Sequence, residues 1–260
     1  MGRIITITSG KGGVGKTTVT ANLGTSLALQ GKAVCLIDAD IGLRNLDIPL
    51  GLSNRIVYDI VDYIEGICEL RHVIIKDKRV PNLAFIPGSQ EYLVSDLSSQ
   101  VFKEAVNKIA EDFEYVLIDS PAGIEHGFRN ALDASHEAIV VVTPDRTSIQ
   151  DADRVIGIIE QLHSVKPVLI INMLKRDMYS NVDNIENRNI LSTLQLEVLG
   201  TTFEDIEVVL SLHNGVPIAL DPSKESGLRF RHMARNLINN QFREYVSMKN
   251  VRLKKNYWFF

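Results

Sequence analysis

Eight residues near the amino terminus have the types and spacing of a loop that binds phosphate. The segment Gly10–Thr17 fits the pattern G-x-x-x-x-G-K-[ST] and follows the apolar run Ile4–Thr8, which supplies the strand that such a loop requires. Its glycines let backbone N–H groups point at phosphate oxygens, while Lys16 would reach the β- and γ-phosphates and the Thr17 hydroxyl would bind Mg²⁺. The candidate nucleotide contacts in this segment are Gly10, Lys11, Gly12, Gly13, Val14, Gly15, Lys16, Thr17 and Thr18.

A second lysine, Lys11, lies inside the loop at a position where any residue would be enough to wrap a phosphate. A lysine there marks the deviant version of the loop. The alternative interpretation is a glycine-rich turn before a helix. The agreement of strand, loop and the Lys16-Thr17 pair makes that interpretation weak.

Carboxylates follow two further apolar runs. Asp38 and Asp40 come at the end of Val34–Ile37, and Asp119 ends Tyr115–Ile118. Because the carboxyl ends of parallel strands face the ligand crevice, we predict that Asp38 and Asp119 hold Mg²⁺ through water, together with the Thr17 hydroxyl. We predict that Asp40 orients or deprotonates the water that attacks the γ-phosphate. Solvated turns at strand ends are the alternative for either aspartate alone.

An amide, Asn172, follows the apolar run Val168–Ile171. A carboxamide has a donor and an acceptor, and it can therefore bond both kinds of group on an adenine edge. An ordinary strand-end cap explains the same residue almost as well.

Strand-like runs alternate with helix-length segments along the whole chain, which predicts an α/β fold with a doubly wound, mostly parallel sheet flanked by helices. We expect one domain over residues 1–240 and a separate tail over 241–260. The predicted strands are Ile4–Thr8, Val34–Ile37, Leu83–Ile86, Tyr115–Ile118, Ala138–Val142 and Val168–Ile171. The predicted helices are Thr17–Leu29, Val101–Phe113, Ile149–Leu162 and Leu228–Tyr245.

Composition limits the function. The 260 residues carry a net charge of −4, and no apolar run approaches membrane-spanning length. The two cysteines, Cys35 and Cys68, form no CxxC pair, so neither a disulfide framework nor a metal site is indicated. The first predicted strand begins almost at Met1, so we expect no leader and a chain that acts where it is made, in a cytoplasm or a plastid stroma.

The tail differs from the rest in charge. Residues 241–260 carry five basic side chains and one acidic one, a net charge of +4, which leaves −8 for the remainder of a chain with a total of −4. Wound as a helix, part of the tail has an apolar face beside its basic residues, which is typical of a segment that lies in the headgroups of an anionic membrane. Packing of the tail on its own domain is the alternative. The candidate membrane residues are Phe242, Val246, Leu253, Lys254, Lys255, Tyr257, Trp258, Phe259 and Phe260.

Together these residues resemble the MinD family, within the deviant-Walker P-loop ATPases that also include ParA. The run Gly42–Asp47 is much more specific than the phosphate loop, and the resemblance covers essentially the whole chain. One departure is Phe203, which stands where the family usually has proline, near the expected adenine site. The matching segments are Lys11–Thr18, Asp38 and Asp40 with Gly42–Asp47, Ile118–Glu125, Thr143-Pro144, Asp151–Arg154 and the tail.

The resemblance implies an ATPase that forms a homodimer around two ATP molecules with Mg²⁺. It implies that Lys11 of each subunit contacts the phosphates held by the other, so that dimerisation, membrane binding and hydrolysis are linked. It further implies division-site placement through a MinC-like inhibitor and a MinE-like activator. Both partners would use the surface near the helix that carries Asp151, Asp153 and Arg154, and a solvated helix face is the alternative for these three residues. The protein would then be peripheral on the inner membrane face in its ATP state.

Three other functions use the same fold. A ParA-type DNA-partitioning ATPase needs a basic face, which a body at −8 disfavours, and we expect no specific nucleic acid partner. An iron–sulfur carrier needs ligating cysteines that Cys35 and Cys68 do not supply. A metabolic P-loop kinase would leave both Lys11 and the tail unexplained.

Overall fold

The computed structural model describes residues 2–92, 97–163, 167–175, 190 and 193–242, and the structural statements below concern these residues. The predicted tail, apart from Gln241 and Phe242, lies outside them. So do the membrane candidates from Val246 to Phe260.

Eight strands in the described ranges form one sheet, in the order β3-β4-β2-β5-β1-β6-β7-β8. All neighbouring pairs are parallel except β3 with β4, which is antiparallel. This confirms the doubly wound, mostly parallel sheet. The strands are β1 Arg3–Thr8, β2 Val34–Asp38, β3 Ile75–Lys76, β4 Leu83–Ile86, β5 Tyr115–Asp119, β6 Glu137–Val142, β7 Val168–Leu174 and β8 Val198–Phe203.

Helices cover both faces of the sheet, as its two-sided apolar strands require. On one face, β1 side chains such as Ile5 pack with α1 and with Phe230 of α9. On the other face, Ile4 packs with Phe102 of α5, and Val140 of β6 packs with α7. The helices are α1 Lys16–Leu29, α2 Asp47–Leu50, α3 Ile60–Ile64, α4 Leu70–Val73, α5 Ser99–Ile109, α6 His126–Asp133, α7 Arg146–His163, α8 Ile206–His213 and α9 Glu225–Ile238.

The register of the central strands brings the predicted site together. Asp38 at the end of β2 lies opposite Asp119 at the end of β5, and Ile7 of β1 lies opposite Asp119 from the other side. The loop that follows β1 therefore emerges beside two carboxylates. One edge of the sheet thus holds the predicted phosphate loop and the predicted metal residues.

The helix predicted over Leu228–Tyr245 corresponds to α9, and the prediction extends it too far toward the carboxyl terminus. It ends at Ile238 rather than at Tyr245, because Asn240 takes a left-handed backbone conformation at φ +50° and the Gln241 N–H bonds back to the carbonyl of Asn236 at 2.8 Å. Phe242 follows this cap and packs, partly buried, against the core on the α1 side. A continuous helix through residue 242 into the tail is therefore wrong.

Other boundaries also shift. The helix predicted over Val101–Phe113 spans Ser99–Ile109, and the helix predicted from Ile149 begins at Arg146. The strand predicted over Val168–Ile171 continues to Leu174, so Asn172 lies inside β7 rather than after it. None of the helices in the part of the chain that the structure describes is long and apolar enough to cross a bilayer.

Candidate functional site

The phosphate loop is shaped by close contacts that exclude side chains at two of its glycines. A Cβ at Gly10 would lie 2.3 Å from the backbone carbonyl of Asp151 in α7. A Cβ at Gly15, which has a φ of +82°, would lie 2.3 Å from the Nδ2 of Asn172. The loop is thus pressed against α7 on one side and the end of β7 on the other. Helix α1 begins at Lys16, so its N-terminal amide groups face the space above the sheet edge.

A buried ion pair links the loop to β5. The Nζ of Lys16 lies 3.5 Å from the Oδ1 of Asp119, and their side chains are 9% and 1% exposed. The hydroxyl of Thr20, one turn further along α1, donates to the same oxygen at 3.0 Å. The second oxygen of Asp119, Oδ2, is buried and has no hydrogen-bond partner among the described residues.

Asp38 is fully buried and holds the loop that follows β2. Its Oδ1 accepts the N–H of Asp40 at 3.0 Å, and its Oδ2 accepts the N–H groups of Asn45 and Leu46 at 2.9 Å each. Burial, together with the nearby Asp119 carboxylate, raises the pKa of Asp38 to about 7 against these three donors. Two buried carboxylates therefore lie close together, an arrangement that a cation would stabilise.

Asp40 lies at the edge of the same space and is half-buried. Burial raises the pKa of its carboxyl, an effect that Lys16 opposes and Asp119 reinforces. A raised pKa makes a carboxylate a better proton acceptor, because the strength of a base follows the pKa of its conjugate acid. The position and the environment of Asp40 are those of a candidate general base.

The residues at this edge of the sheet fit a nucleoside triphosphate with Mg²⁺. The orphaned Oδ2 of Asp119 is a buried acceptor that suits a hydrated cation, and carboxylate and hydroxyl oxygens are ligands that Mg²⁺ prefers. Thr17 is half-buried in the first turn of α1 and directly follows Lys16, which contacts Asp119. The roles of Thr17, Asp38 and Asp119 as metal residues stay predictions.

Asn172 contacts the phosphate loop directly. Its Nδ2 donates to the carbonyl of Val14 at 2.7 Å, and its Oδ1 accepts a hydrogen bond from the Thr202 hydroxyl. The amide therefore fastens the loop to β7 and β8. Both polar atoms of the Asn172 side chain thus have protein partners, and contact of this residue with a base stays a prediction.

Lys11 points away from its own buried site. Its Nζ lies 3.3 Å from the Oδ1 of Asp145 and 3.0 Å from the hydroxyl of Thr147, at the start of α7. The Lys11 and Asp145 side chains are 43% and 47% exposed. The two lysines of the loop thus have different surroundings, one buried and one at the surface.

A cleft of about 540 Å³ opens beside Lys11. It runs between the outer side of the phosphate loop, the segment that joins β6 to α7, and the end of β7. Its walls combine backbone with charged side chains, as expected of a site for a charged ligand. The lining residues are Lys11, Gly12, Gly13, Val14, Thr143, Pro144, Asp145, Arg146, Met173, Lys175 and Glu204.

The remaining predicted residues lie further out. Asp153 and Arg154 are exposed on α7, while Asp151, one turn from the cleft, packs its backbone against Gly10. Phe203 ends β8 and is buried, with the Arg229 guanidinium 4.2 Å from its ring centre.

The sequence interpretation missed three contributors to the site. Thr20 orients Asp119, and Asp145 and Thr147 hold Lys11. The sequence could have predicted the role of Thr20, because this residue follows Lys16 by four positions on the same helix face. It could not have predicted the roles of Asp145 and Thr147, because 134 and 136 residues separate them from Lys11.

Comparison with known proteins shows which family has this fold and this phosphate loop. A family model described as an AAA domain matches residues 2–171. The septum site-determining protein MinD of Bacillus subtilis is 44% identical over 240 residues, which cover 92% of this chain and 90% of the relative. The protein of the same name from Synechocystis is 42% identical over 258 residues, which cover 98% and 97%.

Solved structures agree. A MinC:MinD cell division protein complex from Aquifex aeolicus matches with a TM-score of 0.84 at 41% identity, covering 91% of this chain and 96% of the other. MinD from Pyrococcus horikoshii, complexed with Mg-ADP, matches with a TM-score of 0.81 at 26% identity, covering 91% and 96%. A ParA family ATPase from Chlorobium tepidum shares the fold at a TM-score of 0.78, 18% identity, and coverage of 90% and 99%.

The phosphate loop after β1, with carboxylates at the ends of β2 and β5, defines a P-loop ATPase of the MinD/ParA type. Identities above 40% over nine-tenths of the chain settle which branch of that class it represents. The chain belongs to the MinD family of septum site-determining proteins and is an ATP-hydrolysing enzyme. Nucleotide and Mg²⁺ use accompany that membership.

Proposed function

We propose that ATP drives this chain to form a homodimer in which Lys11 of each subunit contacts the phosphates bound by the other. The observation that supports this proposal most strongly is the difference in burial between the two lysines of the phosphate loop. Lys16 is buried and paired with Asp119, whereas Lys11 is exposed at the mouth of the cleft. A cation from a second subunit would neutralise charge that develops on the transferred phosphoryl group, and removal of the γ-phosphate would release the dimer.

The dimer would bind an anionic membrane through the tail. Five basic residues and the aromatic end Tyr257–Phe260 suit the headgroup region, where each basic residue adds about 1 kcal/mol. One tail would bind weakly and two much better, because the second binding event is intramolecular. We propose that the protein is peripheral on the inner membrane face in its ATP state, and otherwise in the cytoplasm or a plastid stroma.

Placement of the division septum would follow from recruitment of partners to the membrane. The Aquifex protein forms a complex with MinC, which supports a MinC-like inhibitor as a partner of this chain. We propose that the exposed α7 residues Asp153 and Arg154, with Asp151, contact this inhibitor and a MinE-like activator of hydrolysis.

Co-sedimentation with anionic lipid vesicles tests the linkage. The intact chain should sediment with vesicles in ATP and Mg²⁺ but not in ADP, and Lys11→Ala should abolish that difference. Removal of residues 243–260 should abolish vesicle binding while nucleotide binding remains. Vesicle binding that survives this deletion would overturn the role of the tail.

The chain offers its own reporter for this experiment. Its single tryptophan, Trp258, lies in the tail, so its emission should move to shorter wavelength when vesicles are added in ATP. If ATP produces no vesicle binding, and the chain instead shifts the mobility of DNA in a gel at moderate salt, a DNA-partitioning function of the ParA type becomes the better interpretation.

A further inference from the structure

Lys11 is held by its own subunit in this structure. Its Nζ contacts the Asp145 carboxylate at 3.3 Å and the Thr147 hydroxyl at 3.0 Å. These two contacts use two of the three N–H donors of the ammonium and direct it toward its own subunit. Turning Lys11 across a dimer interface would therefore work against this contact.

Asp145 is itself firmly fixed. The hydroxyls of Thr143 and Thr147 donate to it at 2.6 Å each, and the N–H of Ser148 donates at 3.0 Å at the start of α7. Although its partial burial acts in the opposite direction, these donors and Lys11 hold the pKa of the carboxyl below its usual range. Asp145 is thus a permanent, oriented negative charge facing Lys11.

We infer that Asp145 is a positioning residue that retains Lys11 on its own subunit and thereby sets the protein concentration at which the dimer forms. This inference rests on the proposed action of Lys11 in trans. Two such contacts break in each symmetric dimer, one per subunit. An exposed ion pair of this kind changes an equilibrium by about two- to fivefold, so two pairs raise the dimer dissociation constant by roughly 4- to 25-fold.

Asp145→Asn removes the charge and preserves the fold. Asparagine is as good an N-cap as aspartate, so the bond to the Ser148 N–H at the start of α7 is retained. The control is Glu160→Gln, which removes the same charge from an exposed position about four turns further along α7. Any effect of net charge alone would appear equally in both variants.

The dimer dissociation constant would be measured by sedimentation velocity on the intact chain with Mg²⁺ and a non-hydrolysable ATP analogue. We expect Asp145→Asn to lower it by roughly 4- to 25-fold relative to the wild type, and Glu160→Gln to leave it within about twofold. The concentration at which ATPase activity reaches half of its own plateau should fall in parallel. An unchanged or raised dissociation constant for Asp145→Asn would overturn the inference.

A second measurement separates this inference from the function on which it rests. A double-mutant cycle of Lys11→Ala and Asp145→Asn would be followed by thermal unfolding without nucleotide, where no dimer is involved. We expect non-additive shifts, with the double variant less affected than the sum of the single ones. Additive shifts would show that Asp145 does not retain Lys11. Non-additive shifts in a chain that never dimerises would instead refute the proposed function.

Discussion

The glycines of the phosphate loop allow a graded test of why this loop has its shape. Three of them differ in what an alanine would meet. At Gly12 a Cβ has no atom within 4 Å, and the backbone is not left-handed. At Gly13 the space is equally open, but φ is +80°. At Gly15 a φ of +82° is combined with the contact to Asn172.

The expected loss of stability without nucleotide follows this order. Gly12→Ala should change the free energy of unfolding by less than about 0.5 kcal/mol. Gly13→Ala should cost about 1–2 kcal/mol, because an L-residue is strained in the left-handed region. Gly15→Ala adds displacement of the Asn172 amide from the Val14 carbonyl, a bond of 2.7 Å worth about 1 kcal/mol, for a total of about 3 kcal/mol.

Thermal unfolding of the nucleotide-free chain measures these differences. For a domain of this size, 3 kcal/mol corresponds to a fall of roughly 6–12 °C in the midpoint. Nucleotide binding is a poor readout for this series, since any added methyl group can also obstruct phosphate. A midpoint for Gly15→Ala within about 1 °C of that for Gly13→Ala, which shares the left-handed φ but has open space, would show that the contact with Asn172 does not shape the loop.

Three further variants probe other parts of the site and the sheet. Asp40→Asn should lower the rate of ATP hydrolysis by roughly 10²- to 10⁴-fold while analogue-induced dimerisation persists; loss of dimerisation would assign Asp40 a structural role instead. Asp119→Asn should weaken nucleotide binding by about 10- to 100-fold in Mg²⁺ but much less in EDTA, and equal losses in both would exclude a role toward the metal. Arg3→Ala should lower the free energy of unfolding by about 1–2 kcal/mol in urea, because Arg3 makes two 2.7 Å bonds to Glu137 and another to the Leu237 carbonyl. An unchanged urea midpoint would show that solvent screening cancels these bonds.

Much of the fold follows from local sequence. The runs Val34–Ile37, Tyr115–Ile118 and Ala138–Val142 in β2, β5 and β6 are buried on both faces, so they are apolar without interruption and lie within one residue of the strand ends. By contrast, β8 was missed because Val198–Phe203 contains Gly200 and two threonines, and only pairing with β7 makes it a strand. The two-residue strand β3 has no pattern at all, since it depends on its antiparallel partner β4.

The candidate site likewise has features that the local sequence predicts and contacts that it does not predict. The phosphate loop and the aspartates at strand ends follow from residue types placed directly after apolar runs. The contacts between distant segments do not follow from local sequence, because only the folded sheet brings together residues such as Lys16 and Asp119, which are 103 positions apart. Asn172 illustrates the difference: its position near the end of β7 was predictable, but its bond to Val14, 158 residues away, was not.

The two lysines of the phosphate loop have identical side chains, but their different burial suits them to different roles. Lys16 is paired with an almost fully buried Asp119, and withdrawal of its charge would leave that carboxylate unpaired at a cost of several kcal/mol. The pair between Lys11 and Asp145 is about half exposed, so water can replace either partner at a cost below about 1 kcal/mol. Transfer to a second subunit is therefore feasible only for Lys11, whereas Lys16 can reach only phosphates that are bound at its own loop, beside Asp119. Within this loop, the lysine able to leave its own subunit is the one that lies outside the buried site, and the weakness of its present contact is what makes it available.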